Sequence, residues 1–195
     1  MEPKSDAPLR ADAVRNRDRV LQVAREQLAA GDDSLQLNAI ARLAGVGVGT
    51  VYRHFPNRQS LLEAVSSEPF QRLVTAAKTV TTNKDPLAAL HSLLHYALEQ
   101  TLATPGFATV LEAATDAEPR TAALKTEFDR ALTKLLRQAR QEGSVRKDVK
   151  PEDLRRLLSG TAHALRTGKV TPKHTKIYLN ILLTGLQAPT PQPAP

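Results

Sequence analysis

The sequence predicts an all-α protein of about nine helices, and three observations support this fold class. Leu and Ala are abundant, whereas aromatic residues make up only 4% of the chain and Trp is absent, which favours helices over a β-sandwich or barrel. No segment alternates apolar and polar residues over the length of a strand. Proline stands near the expected first position of several helices, where its missing N–H leaves no hydrogen bond unmade.

Caps, glycines and prolines mark where each helix begins and ends. Four helices are predicted in the first part of the chain, from Asp12 to Ala30, from Asn38 to Ala44, from Val48 to Phe55, and from Asn57 onward. Gly31 ends the first of these, while Asn38 and Asn57 are expected to cap the second and the fourth. Pro69 is expected to kink or interrupt the fourth helix.

Five more helices are predicted, at 85–104, 106–116, 118–142, 151–167 and 171–186. Both ends of the chain are expected to lack such structure. Residues 1–11 are polar and predict a mobile arm, and the Pro-rich residues 187–195 predict an extended tail that forms neither helix nor sheet.

Length and composition exclude several classes of protein. With 195 residues, of which 41% are hydrophobic and 24% charged, the chain can bury a sizeable core in one or two domains, which excludes wholesale disorder. The absence of Cys excludes a disulfide framework, a thiol nucleophile and a cysteine metal site. No apolar run reaches the roughly 18 residues of a membrane span, and the first residues lack the order of a signal peptide, so we expect a cytoplasmic protein.

The net charge of +7 indicates a nucleic-acid partner without locating its site. Residues 85–119 contain acidic residues but no Lys or Arg, and most of the positive excess lies C-terminal to them. Because an Arg- and Lys-rich helix face is more often plain solvated surface, a motif has to locate the DNA site.

Residues 38–55 predict a helix-turn-helix, in which two short helices flank a glycine-containing turn. In such a unit the second helix lies in the major groove of DNA. Thr50, Tyr52 and His54 are hydrogen-bonding side chains suited to phosphate oxygens, and Arg53 can reach a phosphate or the edge of guanine. Gly49 lets the backbone approach DNA closely. The candidate DNA-binding residues are Asn38, Gly47, Val48, Gly49, Thr50, Tyr52, Arg53, His54 and Arg58.

The motif resembles the DNA-binding signature of the tetracycline-repressor (TetR) family. The resemblance rests on Ala44-Gly45-Val46, on the run from Gly49 to Arg58 that contains Tyr-Arg-His-Phe, and on Leu61-Leu62. It covers residues 12–65, whereas the remainder matches in helix pattern and length only. Many members carry Ser or Thr where this chain has Gly47, so the capping hydroxyl and its phosphate contact are absent here.

The resemblance implies a homodimeric repressor that a small molecule releases from a palindromic operator, controlling an efflux or detoxification gene. It implies a DNA-binding head at residues 1–58, a ligand-binding and dimerisation domain at 59–186, and the tail at 187–195. The dimer interface is expected on the last two helices, on apolar faces that comprise Leu154, Leu157, Leu158, Thr161, Ala162, Leu165, Ile177, Tyr178, Ile181 and Leu182. The alternative is that these faces pack inside a monomer.

The expected ligand-binding residues combine aromatic rings with carboxylates: Tyr96, Glu99, Phe107, Glu112, Asp116 and Phe128. Since residues 85–116 contain no Lys or Arg, we expect a neutral or cationic hydrophobic effector. The alternative is that these acids are exposed at the surface.

Three residues on one helical face, His91, His95 and Glu99, have metal-ligand spacing, but we interpret them as surface or pocket-edge polar residues and expect no metal or cofactor. No metalloprotease motif, nucleophile elbow or P-loop is present, so we expect no enzyme. Two alternatives to a ligand-gated repressor are a DNA-binding regulator that responds to no ligand and a helical adaptor that binds protein.

Overall fold

The computed structural model describes residues 7–168 and 171–188, and within these ranges the chain forms nine α-helices, which confirms the predicted fold class. Their bounds are α1 Ala7–Ala29, α2 Leu37–Ala44, α3 Val48–His54, α4 Arg58–Val80, α5 Pro86–Ala103, α6 Phe107–Glu112, α7 Pro119–Gln141, α8 Pro151–Thr167 and α9 Pro172–Leu186. None of the helices in these ranges combines the length and apolarity needed to cross a membrane.

Helices α1, α2 and α3 pack together, and α1 also packs on α4. The turn after α2 is fixed by Gly45, whose φ of 63° lies in the left-handed region, and by the hydrogen bond from the Val46 amide to the Ala41 carbonyl. Helix α2 begins one residue earlier than predicted. Its N-cap residue is Gln36, so Asn38 lies in the first turn and does not cap the helix.

Helix α4 is the central helix and contacts α1, α5, α6 and α7. The predicted cap is confirmed, because the Asn57 side chain accepts a hydrogen bond from the Ser60 amide at 2.9 Å. The predicted interruption at Pro69 is wrong, since α4 continues through Pro69 to Val80. Phe70, Leu73 and other buried side chains hold the following turns in the core, and this packing outweighs the hydrogen bond that proline cannot make.

Helices α5, α7, α8 and α9 begin where the X-Pro steps predict, with Pro at the first or second position of each. Helix α6 ends at Glu112 and not at 116, and residues 113–118 form an irregular segment that leads into α7. Buried residues of all nine described helices join one continuous hydrophobic core, so α1 to α3 and the rest of the described chain share their packing.

Both ends of the described chain are more ordered than the sequence predicts. Helix α1 begins at Ala7 and not at Asp12, because Pro8 occupies the first turn, where an amide would have no partner. Gln187 forms an antiparallel bridge with Val145, and the Ala188 amide donates to the Ser144 carbonyl. These two residues therefore extend the packed domain, while residues 1–6 and 189–195 lie outside the described residues.

Candidate functional site

Helix α3 is the second helix of the predicted helix-turn-helix, and we call it the recognition helix. Two buried side chains anchor it to the core of the domain. Val51 is fully buried, and Phe55, which caps the C-terminal end of α3, is buried as well. The guanidinium of Arg17 lies 5.6 Å from the centre of the Phe55 ring, a cation–π contact that ties α1 to this end of the helix. The helix is therefore fixed in orientation although it has only seven residues.

The opposite face of α3 points to solvent. Tyr52 is 45% exposed and Val48 is 46% exposed, which are high values for large side chains in a helix that packs on its other face. Arg53 is exposed too, and its Nε donates to the Gly49 carbonyl at 3.1 Å, which aligns its guanidinium along the helix. Thr50 and His54 are half-buried at the edges of this face.

The glycines of α3 leave open space at its N-terminal end. A methyl group added at Gly49 would meet no atom within 4 Å. Gly47 is the N-cap, with φ −59° and ψ 135°, and a methyl group there would meet only the Thr50 Oγ1 at 3.8 Å. Packing within the chain therefore does not require glycine at either position. Without side chains, the backbone at this end of the helix is accessible to a ligand.

Arg58 makes contacts that the sequence does not predict. Its Nε and one terminal nitrogen donate to the Asp33 carbonyl at 3.0 and 2.6 Å, which ties the start of α4 to the loop between α1 and α2. In the same loop, hydrogen bonds from the side chain and backbone amide of Ser34 lower the pKa of Asp32. Arg58 thus has a structural role, and its proposed phosphate contact stays a prediction. Asn38 is exposed on α2.

The predicted ligand-binding residues do not come together around one space. Phe107 and Phe128 are fully buried and meet Phe70 of α4 edge-on, with ring centres 5.5 and 6.4 Å apart. We refer to Phe70, Phe107 and Phe128 as the aromatic cluster. Tyr96 is half-buried against the core. Beside the cluster on α4, the fully buried Ser66 Oγ has no hydrogen-bond partner among the described residues.

The carboxylates expected in the pocket lie elsewhere. Glu112 is exposed, and Glu99 is exposed with its Oε1 3.4 Å from the Nδ1 of His95. Asp116 is largely buried and forms an ion pair with Lys125 of α7. The sequence could not reveal this pairing, because residues 85–116 contain no cation and the partner comes from the following helix. Asp116 is therefore already paired with Lys125, while Glu99 and Glu112 lie at the surface, as in the alternative stated above.

The predicted dimer residues divide between two faces of α8. Leu154, Leu158, Ala162 and Leu165 are buried within this chain, so their assignment to the dimer interface is wrong. They belong to the face of α8 that packs on α5 and α6. Periodicity alone could not separate this face from the outward one, because both are apolar.

The remaining residues, apart from Ile177, line a groove between α8 and α9 with a volume of about 570 Å3, which we call the outward groove. Leu157, Ile177 and Ile181 are exposed, with Ile181 at 64%. Thr161, Tyr178 and Leu182 are half-buried. Gly160, Ala164 and Gly185 complete the wall of the groove, so a second helix can approach closely.

His91, His95 and Glu99 lie along α5, within the part of the chain that the structure describes. No group of three His, Cys, Asp or Glu side chains in that part is placed to hold a metal ion.

Two family models match this chain. The model of bacterial regulatory proteins of the tetR family matches residues 20–65, which include the helix-turn-helix and the start of α4. The model of the C-terminal domain of SbtR-like transcriptional regulators matches residues 85–188, more than half of the chain.

Individual relatives agree with these models. The HTH-type transcriptional regulator SAB2452 of Staphylococcus aureus is 32% identical over 73 residues, which are 37% of this chain and 40% of that protein. The HTH-type transcriptional regulator SA2364 of Staphylococcus aureus is 28% identical over 95 residues, 48% of this chain and 50% of that protein. The chain thus spans half the length, or less, of the curated relatives it matches.

Among solved structures, the TetR transcriptional regulator SCO0520 from Streptomyces coelicolor is similar over nearly its whole length. The TM-score is 0.52 at 27% identity, and the alignment covers 89% of this chain and 99% of that chain.

Proposed function

Because this chain belongs to the TetR family of bacterial transcriptional regulators, we propose that it binds a two-fold symmetric operator as a homodimer and leaves it when a hydrophobic small molecule binds. Family membership makes it a DNA-binding transcriptional regulator and not an enzyme. The observation that carries the proposal is the exposed face of α3. Val48 and Tyr52 face solvent there, while Val51 on the opposite face is buried in the core and anchors the helix. We place repression of an efflux or detoxification gene, in the cytoplasm, within the same proposal.

The DNA contacts proposed here follow the exposure of the side chains. Tyr52 and Arg53 reach phosphates or base edges, and Thr50 and His54 donate to phosphates at the rim of the groove. Val48 contacts a thymine methyl group, and the open backbone at Gly49 approaches the sugar–phosphate chain. Asn38, Gly47 and Arg58 lie around this face and complete the proposed site, which belongs to a head that ends near residue 58.

The proposed dimer forms through the outward groove of α8 and α9. Exposed apolar side chains on a protein surface mark an interaction site, and Ile181 and Leu157 offer them beside small residues that allow close approach. A two-fold dimer presents two α3 helices, so its operator carries two half-sites in opposite orientation.

The proposed effector is a hydrophobic small molecule that enters beside the aromatic cluster. The buried Ser66 hydroxyl supports this position, because buried polar groups nearly always have a hydrogen-bond partner. A polar group of the effector would provide that partner. Asp116 is paired with Lys125, and Glu99 and Glu112 are exposed, so no unpaired carboxylate beside the aromatic cluster favours a positively charged effector.

DNA binding is tested on a duplex that the wild-type protein enriches from random DNA. This duplex is labelled with a fluorophore and titrated with the wild type, Arg53→Gln and Arg137→Gln. Both substitutions remove one exposed positive charge, but Arg137 lies on α7. We expect about a tenfold loss of affinity for Arg53→Gln and little change for Arg137→Gln. An equal loss for both variants would mean that net charge, and not α3, accounts for binding.

Effector release is tested on the same complex with panels of neutral, cationic and acidic hydrophobic compounds. Release by one class, weakened in Ser66→Ala, supports the proposed position beside the aromatic cluster. A specific complex that no compound releases would favour a ligand-independent regulator, and no specific complex would favour a protein-binding adaptor.

A further inference from the structure

Glu63 is a buried acid at a position where its charge has no direct counter-ion. It lies on α4, in the turns that follow the recognition helix, and only 1% of it is exposed. Within the described residues it forms no ion pair. A buried carboxylate is very unfavourable unless strong hydrogen bonds replace its water, so its donors reveal what it does.

Three N–H groups surround the Glu63 carboxylate. The Gln59 side chain donates to Oε1 at 2.8 Å from within α4. The backbone amide of Ala117 donates to Oε1 at 2.8 Å, and the amide of Glu118 donates to Oε2 at 2.9 Å. Because hydrogen bonds to an ionised acceptor are short and strong, Glu63 firmly joins α4 to the chain that enters α7.

The segment that Glu63 holds, residues 113–118, is itself anchored to the neighbouring helices. Lys125 of α7 donates to the Ala113 carbonyl at 2.7 Å and pairs with Asp116. Just before the segment, Arg155 of α8 donates to the Leu111 carbonyl at 3.2 Å and pairs with Asp129 of α7. A series of partly buried polar contacts therefore runs from α8 to α4, and α8 also forms one wall of the outward groove.

We propose that Glu63 is a positioning residue for DNA binding, whose carboxylate sets the angle of α4 and thereby the separation of the two recognition helices in the dimer. The inference rests on the proposed homodimer and its operator of two half-sites. The residue next to Glu63 supports it, because Leu62 packs closely on Gly106 at the start of α6. Two consecutive residues of α4 thus contact both ends of the chain that contains α6.

The test measures affinity as a function of half-site spacing. The enriched duplex is lengthened between its half-sites one base pair at a time, and a duplex with a single half-site is added. The wild type is compared with Glu63→Gln and with Glu68→Gln, an exposed acid of the same helix that pairs with Arg72 within α4. Glu68→Gln is the control for loss of one negative charge.

In Glu63→Gln one carboxylate oxygen is replaced by an NH2 group, so at least one of the three N–H donors faces another donor and loses its hydrogen bond. We expect about a tenfold loss of affinity at the best spacing, within the usual range of coupling between sites. We also expect a broader spacing profile, with affinity for the single half-site unchanged. Glu68→Gln should match the wild type at every spacing.

Two results would overturn the inference: a spacing profile for Glu63→Gln as sharp as that of the wild type, or an equal loss on the single half-site. Failure of the proposed function looks different, since the wild type would then bind one half-site as tightly as two. If circular dichroism reports that Glu63→Gln is unfolded, Glu63→Asp replaces it. Aspartate keeps the charge but is one methylene too short to reach both amides. A spacing profile as sharp as that of the wild type, or an equal loss on the single half-site, would overturn the inference for this variant too.

Discussion

Val51 and Tyr52 are adjacent in the chain, but they lie on opposite faces of α3, one buried and one exposed. Val51 is fully buried and fixes the helix, whereas Tyr52 is half exposed and has no comparable role in packing. Two consecutive positions of α3 therefore hold one side chain that stabilises the fold and one that we propose binds DNA. The sequence already indicates this division, because the helix-turn-helix pattern assigns its apolar positions to the core and its polar positions to DNA.

Gly49 provides a substitution with opposite effects on stability and binding. An added methyl group meets nothing within 4 Å, and alanine favours a helix over glycine, so Gly49→Ala should raise the free energy of unfolding by about 0.5–1 kcal/mol. The same methyl group stands where the backbone approaches DNA, so operator affinity should fall. Chemical denaturation and a DNA titration of one preparation measure both. A stabilised variant with full affinity would remove Gly49 from the proposed interface.

Helix boundaries could be predicted well wherever a local signal sets them. Asp85-Pro86 and Lys150-Pro151 begin α5 and α8, and Asn57 caps α4, because proline and capping side chains act within a few residues. Contacts made by distant residues could not be predicted. Neither the amides that hold Glu63 nor the Lys125 partner of Asp116 leaves a periodic signal in the sequence.

The turn between α5 and α6 depends on Gly106. Its φ of 81° lies in the left-handed region, and an added Cβ would overlap a terminal carbon of Leu62. Gly106→Ala should therefore lower the free energy of unfolding by about 1–3 kcal/mol, measured by urea denaturation. Gly49→Ala, at a helical position with open space, is the control and should not destabilise the protein. Equal stability of both variants would contradict the close contact of α6 with α4.

The segment between α7 and α8 contains a carboxylate whose ionisation reports on local structure. The Arg146 side chain donates to Asp148 and lowers the pKa of that carboxyl. The pair therefore contributes stability above the ordinary pKa of Asp, and this contribution is lost as pH falls through the folded-state value. In Arg146→Gln the pKa of Asp148 should rise, as measured by NMR titration. Asp32, whose pKa Ser34 lowers, should not change, and an unaltered Asp148 would contradict the pairing.

At the scale of the whole molecule, α8 serves two interfaces at once. Its inner face, with Leu154 and Leu158, completes the core of one chain, and its outer face, with Leu157, lines the groove proposed for the partner. Helical periodicity identifies both faces as apolar but cannot say which one a second chain covers. The exposure of Leu157 in the folded chain, beside the buried Leu154 and Leu158, identifies the outer face as the one available to a second chain.

The outward groove leads to a prediction about assembly. Ile181→Asp places a charge at the most exposed large apolar side chain of the groove and should convert the dimer into a folded monomer, since a charge is costly to bury at an interface. Sedimentation velocity measures the mass, and circular dichroism verifies the fold. Val14→Asp alters an equally exposed residue of α1 and should remain dimeric. A dimeric Ile181→Asp would locate the interface elsewhere.

The central claim is that two copies of α3, related by two-fold symmetry, read DNA together. The most direct test is to select duplexes from random DNA with the wild-type protein and to sequence the enriched pool. We expect a motif of two inverted half-sites whose centres are separated by about one helical turn of DNA or a multiple of it. Enrichment of a single asymmetric motif, or of none, would contradict it.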